Sequence, residues 1–232
     1  MGYLSRVFVA TEEENRRAIL AALPPNRGGD LLDVGPHDGA FTVRVAERVG
    51  AKAKYGVELV GLHAERARAR GINVVNADIE RGLPFDDGRF RTVTANQVIE
   101  HLRRTDTFLA ELRRVLEPGG LACISTNNLS SWHNVISLAA GFQPMPMHIS
   151  DELILGNPLN PERGTPHEDA GRVHVRLFTA RALTELCAHH GLRRVRFVKA
   201  GYYPLPTRLA RVAARIDPLH AAFMTGLFER PG

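Results

Sequence analysis

The sequence predicts an α/β fold with a doubly wound, mostly parallel sheet, and three observations carry that reading. Short apolar runs recur at Leu31, Tyr55, Asn73, Phe90 and Leu121, with helical patterns in the intervals between them. The first run, Leu31 to Phe41 (LLDVGPHDGAF), ends in an acid and a glycine and passes at once into a helical pattern. Four runs end in polar residues, Asp33, Glu58, Asp78 and Asn96, and in an open α/β sheet such strand ends converge on the crevice where ligands lie.

In chain order, Thr11 precedes Glu12, Glu13 and Glu14, so a first helix is expected with Thr11 as its N-cap and the acids on the favourable end of its dipole. A helix over Ala40 to Val49 follows the glycine turn. YGVEL (Tyr55 to Leu59) is the second strand, LHAERARAR a short exposed helix before Gly71, and NVVNADI (Asn73 to Ile79) the third strand. LPFDDG is a turn-rich loop, and FRTVTANQVIEHL (Phe90 to Leu102) is a fourth strand ending in a polar cluster. TDTFLAELRRVLEPGG places Phe108, Leu109, Leu112, Val115 and Leu116 on one helical face, ends at Pro118 and feeds a fifth strand through two glycines.

From Gly141 to Arg172 the periodicity stops. Five prolines, four glycines and two histidines mark an insertion of a length that is usually functional. FTARALTELCAHHG is a capped helix and LRRVRFVKAG a strand. PTRLARVAARI is a helix with Arg208, Arg211 and Arg215 opposite Leu209, Val212 and Ile216, and HAAFMTGLFER is a last strand. The arginine stripe reads as a solvated face.

The chain of 232 residues suits one domain, with residues 1–28 as an N-terminal lid or helix and 129–177 as a substrate-side insertion. A net charge of +5 permits an anionic substrate without requiring one. Cys123 and Cys187 fall in a strand and a helix, so a disulfide framework is not expected and a reducing compartment fits. No apolar run approaches the ~18 residues of a membrane span, and the N-terminus lacks the blocks of a signal peptide. The expectation is a cytoplasmic protein with no membrane partner.

The glycine turn has a physical logic. Gly35 lets the backbone turn sharply and a flat, polar ligand lie against the main chain, while Gly39 lets the next helix pack closely. With the segments that follow, LLDVGPHDG, Glu58 after the second strand, ADIERGLPFDDGRF, VIEHL and RRVLEPGGLACIST, the chain resembles the class I S-adenosylmethionine-dependent methyltransferases, most specifically from Leu31 to Thr126. The resemblance implies a Rossmann-like seven-stranded sheet whose last two strands pair antiparallel at one edge, and S-adenosyl-L-methionine as cofactor. The implied cofactor-binding residues are Asp33, Gly35, His37, Gly39, Glu58, Leu59, Asp78, Ile79, Asn96 and Gln97. Glu58 is suited to accept from a ribose diol, because a carboxylate offers two acceptor oxygens and no donor. Asp78 and the backbone of Ile79 would meet the adenine, and Asp33 the ammonium end, directly or through water. His37 stands where the family has a small residue, so the methionine end is expected to sit differently here.

Glu100 and His101 are the candidate catalytic residues. An imidazole titrates near neutral pH and can take a proton from a hydroxyl or amine as the methyl group moves, although methyl transfer can also proceed by alignment alone. VIEHL, STNN and HVRLFT together resemble the small-RNA 3′-terminal 2′-O-methyltransferases, whose two glutamates and two histidines hold a divalent metal. The matching positions are Gln97, Glu100, His101 and His174. Gln97 replaces a carboxylate that a hard cation favours, so no metal is expected. The acceptor is expected to be a small metabolite methylated on oxygen or nitrogen, as in secondary metabolism, and to be lined by Tyr3, Trp132, His148 and His174. Phe142, Asp151, His167, Glu168 and Asp169 are further candidates, with core packing or a solvated loop as the alternatives. The dearth of lysine and the lack of an added RNA-binding module argue against a nucleic-acid partner. A non-catalytic cofactor-binding scaffold is the remaining alternative.

Overall fold

The computed structural model describes residues 2–167 and 173–232, so the candidates Glu168 and Asp169 lie outside the described residues. The elements run α1 (Tyr3–Ala22), β1 (Leu31–Val34), α2 (Ala40–Val49), β2 (Lys54–Glu58), α3 (Gly61–Ala69), β3 (Asn73–Asn76), β4 (Phe90–Asn96), α4 (Thr105–Val115) and β5 (Leu116–Asn127). They continue with α5 (Trp132–Ala139), α6 (Ala180–His189), β6 (Arg193–Ala200), α7 (Thr207–Ile216) and β7 (Phe223–Glu229). The seven strands form one sheet in the order β3-β2-β1-β4-β5-β7-β6. Strands β1 to β5 pair in parallel, and β7 runs antiparallel to both β5 and β6, which is the expected doubly wound architecture with its antiparallel edge.

Alternation along the strands decides which helix packs where. Leu31, Cys123 and Leu227 point to the face covered by α1 and α2, where they meet Ile19, Leu23, Val45 and Val49. Their neighbours Leu32, Ile124 and Phe228 point to the other face, against Phe108, Leu109 and Leu112 of α4 and Leu183 of α6. Both cysteines are buried and free, as expected.

Three boundaries differ from the sequence reading, and the packed face of α7 is a further finding. Helix α1 begins at Tyr3, eight residues before Thr11. Val7, Thr11, Asn15 and Ile19 form its buried stripe at fourfold spacing, and the Thr11 hydroxyl donates to the Val7 carbonyl, the back-bond that lets a threonine sit inside a helix. Strand β4 stops at Asn96, because Gln97 takes a left-handed φ of 57° and Ile99–His101 form a 3-10 turn. Helix α4 ends at Val115, and Leu116 already pairs with Phe90. In α7 the alanine side is packed, around Ala210, while Leu209, Val212 and Ile216 are exposed.

Gly39 shows what the glycine turn requires. Its φ is +79°, and an added Cβ would lie 2.5 Å from Ile72 Cδ1 and 3.0 Å from Ala67 Cα. The close approach is therefore to α3 and the segment leading into β3. Gly39→Ala is expected to lower unfolding free energy by about 2 to 4 kcal/mol, combining the left-handed backbone cost with overpacking. Urea unfolding of the two proteins, with an unchanged m value, is the check.

Candidate active site

The carboxyl ends of β1 to β5 form the crevice. After β1, Gly35 has φ +70° and an added Cβ would lie 2.9 Å from Val98 Cγ2, so the turn can sit against the segment after β4 only without a side chain. His37, also left-handed, points its backbone N–H at Glu58 Oε2, 3.0 Å away, and the Val60 N–H reaches Oε1 at 3.0 Å. Glu58 is thereby fixed at the end of β2, and each oxygen keeps a lone pair for a ligand. The His37 ring packs on His63 of α3 at 3.9 Å between centroids. What His37 directs at Glu58 is its backbone N–H.

Asp33 is 5 % exposed, and its two oxygens accept from the hydroxyls of Thr42 and Thr94, so it ties β1 to α2 and β4. Burial pushes its carboxyl up to about 6, against the lowering effect of the two hydroxyls. Asp78 caps the 3-10 turn Ile79–Arg81 by accepting from the Glu80 N–H, and its side chain stays accessible. Leu59 is exposed and Ile79 is packed against the core, the two flanking the space between Glu58 and Asp78. Asn76, which carried no signal in the sequence beyond its place at a strand end, donates to the carbonyls of Glu58 and Leu59.

At β4, Asn96 accepts from Asn15 of α1, which also donates to Ser125 on β5, so the first helix is bolted to the crevice rim. Gln97 donates its backbone N–H to Ser125 and accepts from Asn127 through Oε1. Its Nε2 is buried with no hydrogen-bond partner among the described residues, a donor left over for a ligand.

Glu100 is fully buried, a correction to its expected place among the reacting groups. Its carboxyl accepts from Thr126 at 2.9 Å and lies 3.4 Å from the Asn127 amide. Its backbone carbonyl receives the N–H groups of Val175 and Arg176 at 2.8 and 3.1 Å. These bonds tie the segment after the insertion to the turn that carries His101. Burial pushes its carboxyl up to about 7, opposed by those hydrogen bonds.

His101 lies partly exposed beside it, with Nδ1 3.3 Å from the Val173 carbonyl and its ring against His174 at 4.6 Å. A proton on Nδ1 satisfies that carbonyl and makes Nε2 the acceptor nitrogen of the ring. His174 is fixed in the same manner, with Nδ1 2.7 Å from the Pro146 carbonyl, while its backbone N–H donates to His148 Nδ1. His148 stacks on His174 at 4.6 Å and 10°, and His167 follows at 4.6 Å. Burial, followed by the neighbouring imidazoles, lowers both His148 and His174 to about 4, so these two rings are neutral at pH 7. Ligand atoms of Glu100, His101 and His174 lie within 4.8 Å of one another, a set that can hold a metal ion.

Two expected acceptor residues are turned elsewhere. The Tyr3 hydroxyl donates to the Pro204 carbonyl, at the end of α1 remote from Asn15. Trp132 donates its indole N–H to Asp217 and lays its ring on His220, so it faces the end of α7.

Residues 32–124 match the sequence-family model described as a methyltransferase domain. A demethylmenaquinone methyltransferase of Geobacillus stearothermophilus is 29% identical over 122 residues, covering 48% of this chain and 51% of that protein. A ubiquinone/menaquinone biosynthesis C-methyltransferase of Rhizobium etli is 34% identical over 114 residues, 44% of either chain. Among solved structures, the methyltransferase in complex with the Haloferax volcanii Trm112 activator has a TM-score of 0.65 at 16% identity, covering 98% of this chain and 95% of that one. The chain spans about half the length of the curated relatives it matches. The sequence match to a methyltransferase domain covers the strands β1 to β5, and the whole chain shares its fold with solved S-adenosylmethionine-dependent methyltransferases. The glycine cradle at Gly35, the fixed Glu58 carboxylate and the unpartnered Gln97 amide fit S-adenosyl-L-methionine, the cofactor that the matched methyltransferase domain implies.

Because the native state holds the Glu100 proton up to about pH 7 and the unfolded chain releases it near 4.5, this group's stabilising protonation is complete below 4.5 and lost as pH rises through 7. Glu100→Gln removes that titration. Relative to wild type, the variant is expected to gain on the order of 2 to 3 kcal/mol between pH 4.5 and 8, measured as the difference in urea unfolding free energy across that range.

Proposed function

We propose that this chain transfers the methyl group of S-adenosyl-L-methionine to an oxygen or nitrogen of a small metabolite, with His101 as general base. The observation that supports it is the placement of His101 Nδ1 3.3 Å from the Val173 carbonyl, beside the end of β4: a proton on Nδ1 would serve that carbonyl and leave Nε2 as the acceptor nitrogen. When bound, the cofactor supplies an electrophilic methyl group on a sulfonium. Glu58 would accept from its ribose diol, Asp78 and the backbone of Ile79 would meet the adenine edge, and the Gln97 amide would donate toward the reacting end. His101 Nε2 would take the proton of the acceptor hydroxyl or amine as the new bond to carbon forms. The low basicity of His174 keeps the neighbouring imidazole neutral, so the proton stays on His101 until solvent removes it.

A second reading makes the acceptor a ring carbon. Its support is the Rhizobium etli relative, a C-methyltransferase by name. The same base would serve, by deprotonating a phenol that passes its charge to the carbon. For the Glu100, His101 and His174 cluster we favour proton handling over metal binding, because the Glu100 carboxyl is already served by Thr126 and Asn127.

Glu58→Ala is expected to weaken cofactor binding roughly ten- to a hundred-fold, the loss of hydrogen bonds to a charged acceptor. Calorimetry with the demethylated cofactor product measures it, and wild-type affinity would remove Glu58 from the ribose site. His101→Ala is expected to leave that affinity intact and lower turnover by about 10² to 10⁴. In wild type the rate should fall on the acid side as the imidazole protonates and be indifferent to chelation. A rate abolished by chelator and restored by a divalent ion would convert the same three residues into a metal site.

A further inference from the structure

We infer that the surface formed by α7 and α5 docks on an anionic lipid bilayer. The arginine stripe of α7 is solvated, as the sequence reading expects. In the structure the helix rests on Ala210, with Tyr202 and Ala221 beneath it. Leu209, Val212 and Ile216 are 58, 53 and 79 % exposed, an unbroken apolar row at i, i+3 and i+7. Arg208, Arg211 and Arg215 form a parallel row about 100° around the same helix. Arg211 is paired with Glu14, whereas Arg208 and Arg215 have no acidic partner among the described residues. A helix that presents an apolar row flanked by cations is built to lie in the plane of a lipid interface.

Exposed apolar side chains also lie on α5, next to the end of α7. The end of α7 is joined to Trp132 by the indole hydrogen bond to Asp217 and the ring contact with His220. One turn on from Trp132, Ile136 is 61 % exposed. Neither helix contains a carboxylate. Charge decides between two occupants of such a patch. A second copy meeting it about a twofold axis would bring arginine row against arginine row, whereas an anionic lipid surface complements them. No described helix is long and apolar enough to cross a membrane, so the contact is peripheral. Helix α5 follows directly from the carboxyl end of β5, which places the docking face on the side of the crevice.

Trp132 is the chain's only tryptophan and lies in the patch, so it reports the contact directly. With vesicles of phosphatidylcholine containing phosphatidylglycerol, the protein should co-sediment and its emission should shift to the blue. Pure phosphatidylcholine vesicles should give neither effect, and 0.5 M salt should release the protein. Arg208→Gln with Arg215→Gln should weaken partitioning about tenfold or more, and Leu209→Ser with Val212→Ser and Ile216→Ser should abolish it. All five positions are exposed, and thermal unfolding matching wild type establishes that both variants are folded. Absence of binding to anionic vesicles, or equal binding to neutral ones, overturns the inference. So does a concentration-dependent dimer in sedimentation velocity that the triple serine variant dissolves.

Discussion

The main-chain carbonyl of Glu100 receives two N–H groups, from Val175 and Arg176, while the carboxyl of the same residue takes up Thr126 and Asn127 of β5. These bonds join three stretches of chain that are far apart in sequence: the turn after β4, the end of β5 and the segment that closes the insertion. His101 owes its position to the first and the carbonyl beside its Nδ1 to the third. Because a buried polar group costs most when its partners are missing, the arrangement is all or nothing. The row of imidazoles running outward from His101 extends this join into the insertion, so its residues around Pro146 and His148 are held by the same turn that carries the proposed base.

The crevice also shows how environment separates side chains of one type. Asp33 and Glu58 lie near the ends of adjacent strands and each takes one hydrogen bond per oxygen, but the donors of Asp33 are the hydroxyls of Thr42 and Thr94, which makes it a strut between β1, α2 and β4. Glu58 takes only backbone N–H groups, one per oxygen, and keeps acceptor capacity for a ligand. The strut and the ligand group are thus neighbours in one sheet, and the rigidity of the first supports the placement of the second.

The parallel core is readable because strand ends announce themselves as a short apolar run closed by a polar residue: Glu58 and Asn96 end their strands, Asp33 lies one residue before the end of β1 and Asp78 two residues past the end of β3. The direction of a side chain is not readable in that way. Whether Asp33 meets a ligand or two threonines depends on Thr42 and Thr94, nine and sixty-one residues away, and neither threonine is distinguishable from its neighbours by pattern. Asn15 and Ser125 escape for the same reason, being ordinary polar residues whose meeting exists only once α1 crosses the sheet. In α7 periodicity locates the helix and its solvated arginine stripe, but not the alanine side that packs. A stripe of alanines can pack more closely than leucines, and the sequence pattern carries no term for which stripe the protein already covers.

The position of β7 has a consequence for how the molecule comes to exist. The last strand in the sequence lies between β5 and β6, not at the rim. Roughly a hundred residues separate the end of β5 from the start of β7, and at about 5 to 20 residues per second their synthesis takes on the order of 5 to 20 s. Throughout that interval the edge of β5, rich in buried apolar residues, has no strand beside it. An unpaired edge of that kind is a template for other chains. Helper proteins that shield nascent chains would therefore be needed longest over β5, and the sheet is completed only when the final strand is inserted between two strands made before it.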